Sequence, residues 1–339
     1  MKRWYFLAGI AISILFLYLA LRGLQLPQVW DTIRSANLMW LVPAVLVYFA
    51  DVFFRTWRWQ VLLLPAGSFK FQEVFPVVAI GYMGNNIYPA RAGELLRAIL
   101  LKRRYQVPVS TTLATILVER IFDGVVMLGF IFFNLGELSG LSSSSGFIGS
   151  IQSLAYWGAL AFIGSLAIFI LAAIFPGKVE KVLVRIVNIF LPSRWREPTA
   201  NIIGRFMGGL ATLRSPREAL LVLLTSVAVW LLESLTYWFV MRAFSFEVSL
   251  YALMLMNGIV NLSTTLPSAP GYIGTFDAPG IALLSAYGVP PAIAAGYTLV
   301  LHATLWLPIT LVGGYFFARE GLDWSHELEK AKAERKAVL

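Results

Sequence analysis

GYMGNNIYPARAGELLRAILLKRR, from Gly81 to Arg104, is the stretch on which the reading of this chain turns. It follows an apolar run, yet it holds two asparagines, a proline, three glycines, a glutamate and five arginines or lysines. Lipid offers no partner to a polar side chain or a broken backbone, so such residues persist at membrane depth only where protein or a water-filled cavity surrounds them. The pattern predicts a re-entrant segment: a half-helix in, a break at Asn85-Asn86 and Pro89, and a half-helix out from Gly93. The run Val74 to Ile80 is too short to span alone, because about 20 apolar residues are needed. Arg91, Glu94 and Arg97 are expected to face a site. The second half-helix, starting near Ala92, would turn its free N–H groups and positive dipole end toward an anion.

Composition supports the membrane reading. Hydrophobic residues make up 58% of the chain and charged residues 13%, with a mean hydropathy of +0.74. Soluble domains carry about 45–50% apolar and about 25% charged residues. The chain has no cysteine, which excludes disulfides, thiolate metal sites and cysteine nucleophiles. Its two histidines, His302 and His326, lie far apart, and neither a metal nor another cofactor is expected. The net charge of +9 is ascribed to basic cytoplasmic loops beside anionic lipid, not to nucleic acid.

Outward from the opening stretch, six full spans are expected. They cover about Trp4 to Leu21, Leu38 to Leu64, Thr111 to Leu135, Ile151 to Phe175, Ala219 to Ala243 and Pro291 to Phe317. The second span carries Asp51 and Arg55, four residues apart and able to pair, then Arg58 between Trp57 and Trp59. The third carries Glu119, Arg120 and Asp123; each such charge costs roughly 2.5–3.5 kcal/mol at membrane depth, so partners or water are required. The fifth carries Glu233. The last carries His302, read as a packed, hydrogen-bonded residue, with a proton-relay role as the lesser alternative. A second broken region, Tyr251 to Tyr287, contains Asn257, Asn261, Pro267, Pro270, Gly271, Gly274 and Asp277.

Residues 136–150 form a polar loop without Lys or Arg. Residues 176–217 hold eight Lys or Arg against two acids and read as an amphipathic cytoplasmic loop that meets anionic lipid. Residues 321–339 form a charged cytoplasmic tail after a single integral domain, 1–320. The positive-inside rule then puts both termini in the cytoplasm of a multi-pass cell-membrane protein. A shift of 178 residues lays Pro89 on Pro267, Gly93 on Gly271 and Arg55 on Glu233. The expected fold is therefore an all-α polytopic membrane protein: six spans and two broken hairpins, arranged as inverted repeats over about 38–136 and 219–318. That is a transporter architecture.

Two elements resemble a known family. One is N-x-x-P-x-R-x-G-E-x-x-R at Asn86, Pro89, Arg91, Gly93, Glu94 and Arg97, followed by E-R-x-x-D at Glu119, Arg120 and Asp123. The other is P-x-x-P-G-x-x-G-x-x-D at Pro267, Pro270, Gly271, Gly274 and Asp277. Together they resemble the flippase-like family named after the transmembrane region of lysylphosphatidylglycerol synthase. Tyr272 stands where the family usually has a second glycine, and Asp277 where it has glutamate. The resemblance implies movement of a lipid between leaflets; the candidates are a phospholipid, an aminoacyl-phosphatidylglycerol or a polyprenyl-phosphate-linked sugar.

The leading expectation is a non-enzymatic lipid flippase or scramblase, with a membrane lipid as substrate and no nucleic-acid partner. Arg91 and Arg97 are expected to contact the lipid phosphate, with Arg55 and Arg120 next, because a guanidinium donates to phosphate through two parallel N–H groups. Glu94, Glu119, Glu233 and Asp277 would balance those charges, bind a head-group amine or carry a coupling proton. The chain has no G-x-x-x-x-G-K-[ST], so passage is passive or driven by an ion gradient. Two other readings stand beside it: a membrane transferase acting on a lipid phosphate, and a scaffold whose charges simply pair. A homo-oligomer is left open.

Overall fold

The computed structural model describes residues 26–88, 91–134, 145–265 and 270–320. The expected first span, Pro89, Pro267, most of the 136–150 loop and the tail 321–339 lie outside these residues. The regular elements within them are helical. We number the α-helices α1 (Leu26–Ser35), α2 (Leu41–Leu63), α3 (Phe71–Ile87), α4 (Ala92–Tyr105), α5 (Val109–Phe133) and α6 (Ser145–Ile174). The second half of the chain follows with α7 (Pro176–Phe190), α8 (Ser193–Gly209), α9 (Pro216–Met241), α10 (Leu250–Ser263), α11 (Asp277–Ala286) and α12 (Pro291–Arg319). Among the described residues, three segments are long and apolar enough to cross a membrane: Leu38–Leu63, Pro216–Met241 and Pro291–Arg319.

Local chemistry sets several of the helix ends. The Glu73 side chain accepts from the Lys70 N–H at 2.6 Å and so satisfies a free backbone donor at the start of α3. Ser249 accepts from the Ala252 N–H at 3.0 Å at the start of α10. Pro216 and Pro291 open α9 and α12, where a missing N–H costs nothing.

The two interruptions are real, but the first differs in detail from its expectation. Asn85 and Asn86 belong to the last turn of α3, and the break comes after them. The Asn86 amide donates to Thr310 Oγ1 at 2.8 Å and to the Trp306 carbonyl at 3.2 Å, both on α12. It therefore does not compete for its own backbone, as an asparagine with no such partners does. The helix stops at Tyr88, which is extended (φ −109°, ψ 146°) as a residue before proline prefers. Arg91 is left-handed (φ 51°) and turns the chain into α4. The second interruption is a short 3₁₀ turn, Pro270–Tyr272, between α10 and α11, with Gly271, Tyr272 and Gly274 all at positive φ. The flanking helices have 17, 14, 14 and 10 residues, each below the span requirement of about 20.

α2 and α9 make the most extensive pairing in the bundle. α3 packs on α12 and α4, and α5 packs on α8, α10 and α4. One apolar core gathers Trp59, Leu62, Leu96 and Leu100; a second gathers Tyr237, Met256, Leu283 and Leu301. Where α4 crosses α3 the backbones touch. A Cβ on Gly93 would lie 1.8 Å from the Gly81 carbonyl oxygen and 2.6 Å from the Asn85 nitrogen. Small residues allow this approach, which membrane helices use in place of a hydrophobic driving force.

Gly93→Ala is therefore expected to lower stability by roughly 1–3 kcal/mol, as overpacking does. Gly129, whose Cβ would meet nothing within 4 Å, is the matched control. Thermal unfolding of both variants in detergent measures the difference.

Candidate functional site

The site starts from one face of α2. Asp51, Arg55, Arg58 and Trp59 fall at intervals of four, seven and eight residues, which a helix stacks on one side. Arg55 Nε donates to Asp51 Oδ2 at 2.7 Å, and its Nη2 donates across to Glu233 Oε2 on α9 at 2.5 Å. The same guanidinium lies 5.0 Å from the Trp230 ring. One turn on, Arg58 donates to Asp123 Oδ1 at 2.5 Å and to Ser226 Oγ at 2.8 Å, and it reaches Glu119 at 3.2 Å. Trp230 Nε1 adds a bond to Asp123 Oδ1 at 2.9 Å.

The helices after the first break complete the network. Arg97 on α4 pairs with Glu119 Oε2 at 2.9 Å and lies 3.9 Å from the Trp59 ring. Arg120 on α5 pairs with Glu119, with Asp123 at 3.3 Å and with Glu94 at 3.6 Å. Arg91 stands 3.6 Å from Glu94 and donates to the Thr264 carbonyl at 3.3 Å. Arg55, Arg58, Arg91, Arg97 and Arg120 thus face Asp51, Glu94, Glu119, Asp123 and Glu233, and the formal charges cancel. Burying ions is tolerable only with such pairing, because each unpaired charge in low dielectric costs several kcal/mol.

Beside the network lies a cavity of about 180 Å³, between the two interruptions. That is room for about six waters at ~30 Å³ each, or a small polar head group. Arg55, Arg91, Arg120, Asn86, Asp123 and Glu233 stand on its wall, with Gly271, Tyr272, His302 and Trp306 from the second half of the chain. The Arg91 guanidinium lies 5.9 Å from the Tyr272 ring, so the left-handed residues of the two interruptions meet.

Not every residue expected at the site is on that wall. Glu94 sits behind it, between Arg91 and Arg120. Arg97 and Glu119 are 4% and 1% exposed and form part of the packed interior. The reason is local: Gly81 leaves a slot that the Arg97 stem fills, since a Cβ there would lie 2.5 Å from Arg97 Cγ. Asp277 lies under the second interruption, where its Oδ2 accepts from the Gly274 N–H at 2.8 Å. Gly93 serves the α3–α4 crossing, Pro270 opens the 3₁₀ turn, and Gly274 supplies the N–H at its far end.

Sequence reading gave Arg58 no role, although its spacing of seven from Asp51 already placed it on the same face. It also passed over Trp230, Tyr82 and Trp306. Nothing local marks these aromatics, because their partners come from distant helices. Among the described residues, no group of three His, Cys, Asp or Glu is placed to hold a metal ion.

The geometry separates structure from binding. Arg58 is fully buried with two carboxylates, whereas the Arg91 side chain is 28% exposed with long contacts. Arg58→Met is expected to destabilise by roughly 3–5 kcal/mol, the usual cost of orphaning a buried ion. Arg91→Ala should cost about 1 kcal/mol or less. Thermal unfolding in detergent tests the ranking; equal losses would overturn it.

The chain matches the model of the family described as "Lysylphosphatidylglycerol synthase TM region" over residues 6–313. It is 26% identical to glycosyltransferase AglD of Haloferax volcanii, over 92% of this chain and 54% of that protein, so it spans about half of that relative's length. It is 24% identical to the UPF0104 membrane protein MJ1595 of Methanocaldococcus jannaschii, over 89% of this chain and 91% of the relative. A UPF0104 membrane protein of Methanothermobacter thermautotrophicus is 25% identical, over 93% of each chain. No solved structure matches. The expectation of a non-enzymatic protein is corrected here, because one relative is named a glycosyltransferase and the family is named for a synthase. A membrane protein with a lipid-related role is what the comparisons support, and the chain belongs to the lysylphosphatidylglycerol synthase transmembrane-region family.

Proposed function

We propose that the cavity takes the phosphate head of a membrane lipid and passes it between leaflets while the tails stay in the bilayer. One observation carries the reading: three arginines, Arg55, Arg91 and Arg120, line a small cavity between two broken helices of an otherwise apolar chain. Arg91 and Arg120 are the phosphate contacts. Arg91 meets Glu94 only at 3.6 Å, longer than a hydrogen bond, so it can close on an anion; Arg120, already paired with Glu119 and Asp123, adds its charge beside it. Arg55 is held on both sides by carboxylates and supplies field rather than a contact. Asn86 and Glu233 bound the space; Arg97, Glu119 and Asp277 hold its walls.

The passage reading draws on an inverted repeat. An offset of 178 residues carries α2 onto α9, α3 onto α10, α4 onto the 3₁₀ turn and α11, and α5 onto α12. Contacts follow the same rule: α3 packs on α12 as α10 packs on α5, and α3 on α4 as α10 on α11. Arg55 bonds Glu233, its own counterpart at that offset, which supports a pair lying on an axis between the two halves. In this arrangement 1–320 is one membrane domain with both termini cytoplasmic, and α7 lies on anionic lipid through Lys178, Lys181 and Arg185.

A second reading is favoured by the names of the family and of its glycosyltransferase relative: the cavity presents the lipid phosphate to a transfer reaction. The two are separable. In vesicles carrying a fluorescent phosphatidylglycerol, the chain should speed exposure of the label to an external quencher. Arg91→Ala should slow it about tenfold, equivalent to ~1.4 kcal/mol. Arg91→Lys should recover part, since the point charge stays and the fork is lost. No acceleration by wild type, with lipid consumed only when an activated sugar or aminoacyl donor is added, would favour the second reading.

A further inference from the structure

His302 stands on α12 opposite the second interruption. Its Nδ1 lies 2.8 Å from Asp277 Oδ1, and its Nε2 lies 2.7 Å from the Gly271 carbonyl oxygen. Both ring nitrogens therefore face acceptors. A carbonyl oxygen cannot donate, so Nε2 carries a hydrogen. A neutral imidazole has one N–H, and it is now used. The Nδ1–Asp277 contact then requires one more proton, on the ring or on the carboxyl. Without it, two lone pairs would oppose each other at hydrogen-bond distance.

Burial points the same way. Asp277 is 1% exposed, and among the described residues His302 is its sole partner within ion-pair distance. A lone carboxylate there would carry a large desolvation cost. The Phe276 ring lies 4.5 Å from the imidazole, a neighbour that suits a cation. Other charged groups on the cavity wall are accounted for: Arg55 with Glu233, and Arg120 with Asp123. Arg91 is turned toward Glu94 and Tyr272, and the phenols of Tyr48 and Tyr82 complete the titratable set.

We infer that His302 and Asp277 form a proton-binding site that latches the second interruption against α12. With the proton bound, His302 grips Gly271 and Asp277, and Asp277 grips the Gly274 N–H. The turn carrying Tyr272, on which Arg91 rests, is thereby fixed. When the proton leaves Nδ1 or Oδ1 for cavity water, only that N–H or O–H bond breaks and the pair passes from net charge zero to minus one. The carboxylate then repels the bare nitrogen and the turn is released. Resting on the lipid-passage reading, this makes a proton the drive for opening.

Two readouts on the full chain in lipid nanodiscs test it. With histidine ¹⁵N-labelled and His326→Gln removing the other ring, the first is the protonation of the remaining imidazole. An imidazolium supports the site. So does a neutral ring with a protonated-carboxyl infrared band that Asp277→Asn abolishes. A neutral ring beside an ionised carboxylate across the neutral range overturns it. The second readout uses the natural absence of cysteine. Thr265→Cys, on the cavity wall, is labelled with maleimide as pH rises, and the rate is divided by that in a His302→Gln background. The ratio should rise by up to about tenfold per pH unit until the proton is lost. A constant ratio overturns the latch, and Asp277→Asn repeats the comparison should His302→Gln fail to fold. If wild type moves no lipid while the latch responds to pH, the passage reading fails and the proton site stands.

Discussion

Charge burial is the constraint on which the rest of this structure depends. Hydrocarbon offers a guanidinium nothing, so every arginine inside the bundle must find its acid within the protein. Asp123 shows the consequence: it accepts from Arg58 on α2 and Trp230 on α9, and pairs with Arg120 beside it on α5. One carboxylate thus binds three helices that are remote in sequence. Arg55 does the same for α2, α3 and α9 through Asp51, Tyr82 and Glu233. Such a lattice orients the helices more sharply than apolar packing, because ion pairs and hydrogen bonds depend on direction and lipid-facing contacts do not.

The lattice also explains how charged side chains reach the cavity wall without leaving a void in a charged shell. Arg58 and Arg97 converge on Glu119 away from the cavity, whereas Arg91 keeps only a long contact to Glu94 on its border. The loosely held arginine, Arg91, is the one at the first interruption. Its helix begins where the backbone leaves regular geometry, so its side chain comes from a position that no ideal helix would supply.

The interruptions are strained at specific residues. Arg91 and Tyr272 both sit at positive φ, a region that costs side-chain-bearing residues of order 1–3 kcal/mol, and the Arg91 guanidinium lies 5.9 Å from the Tyr272 ring. Glycine would adopt the backbone angle of Tyr272 without that cost. Here the larger residue gains a cation to rest against, so a conformational cost is exchanged for a contact across the cavity.

Much of this was legible in the sequence. Apolar runs with few charges defined a membrane protein, because composition alone reports the solvent. Proline and glycine marked both interruptions, because they act on the local backbone; the asparagine pair at 85–86 stayed helical, its Asn86 amide bonded to α12. The pairs Asp51 with Arg55 and Arg120 with Asp123 followed from helical spacing. What only the tertiary structure decided was which charges face the cavity. Spacing says that Arg91 and Arg97 flank a break; it cannot say that Gly81 opens a slot for Arg97 or that Thr264 waits for Arg91. Nor could it turn His302 into a partner of both Asp277 and Gly271, since that ring is satisfied by groups 25 and 31 residues away. Periodicity fixes the face of a helix, and the neighbour that meets that face is chosen by the packing of helices distant in the chain.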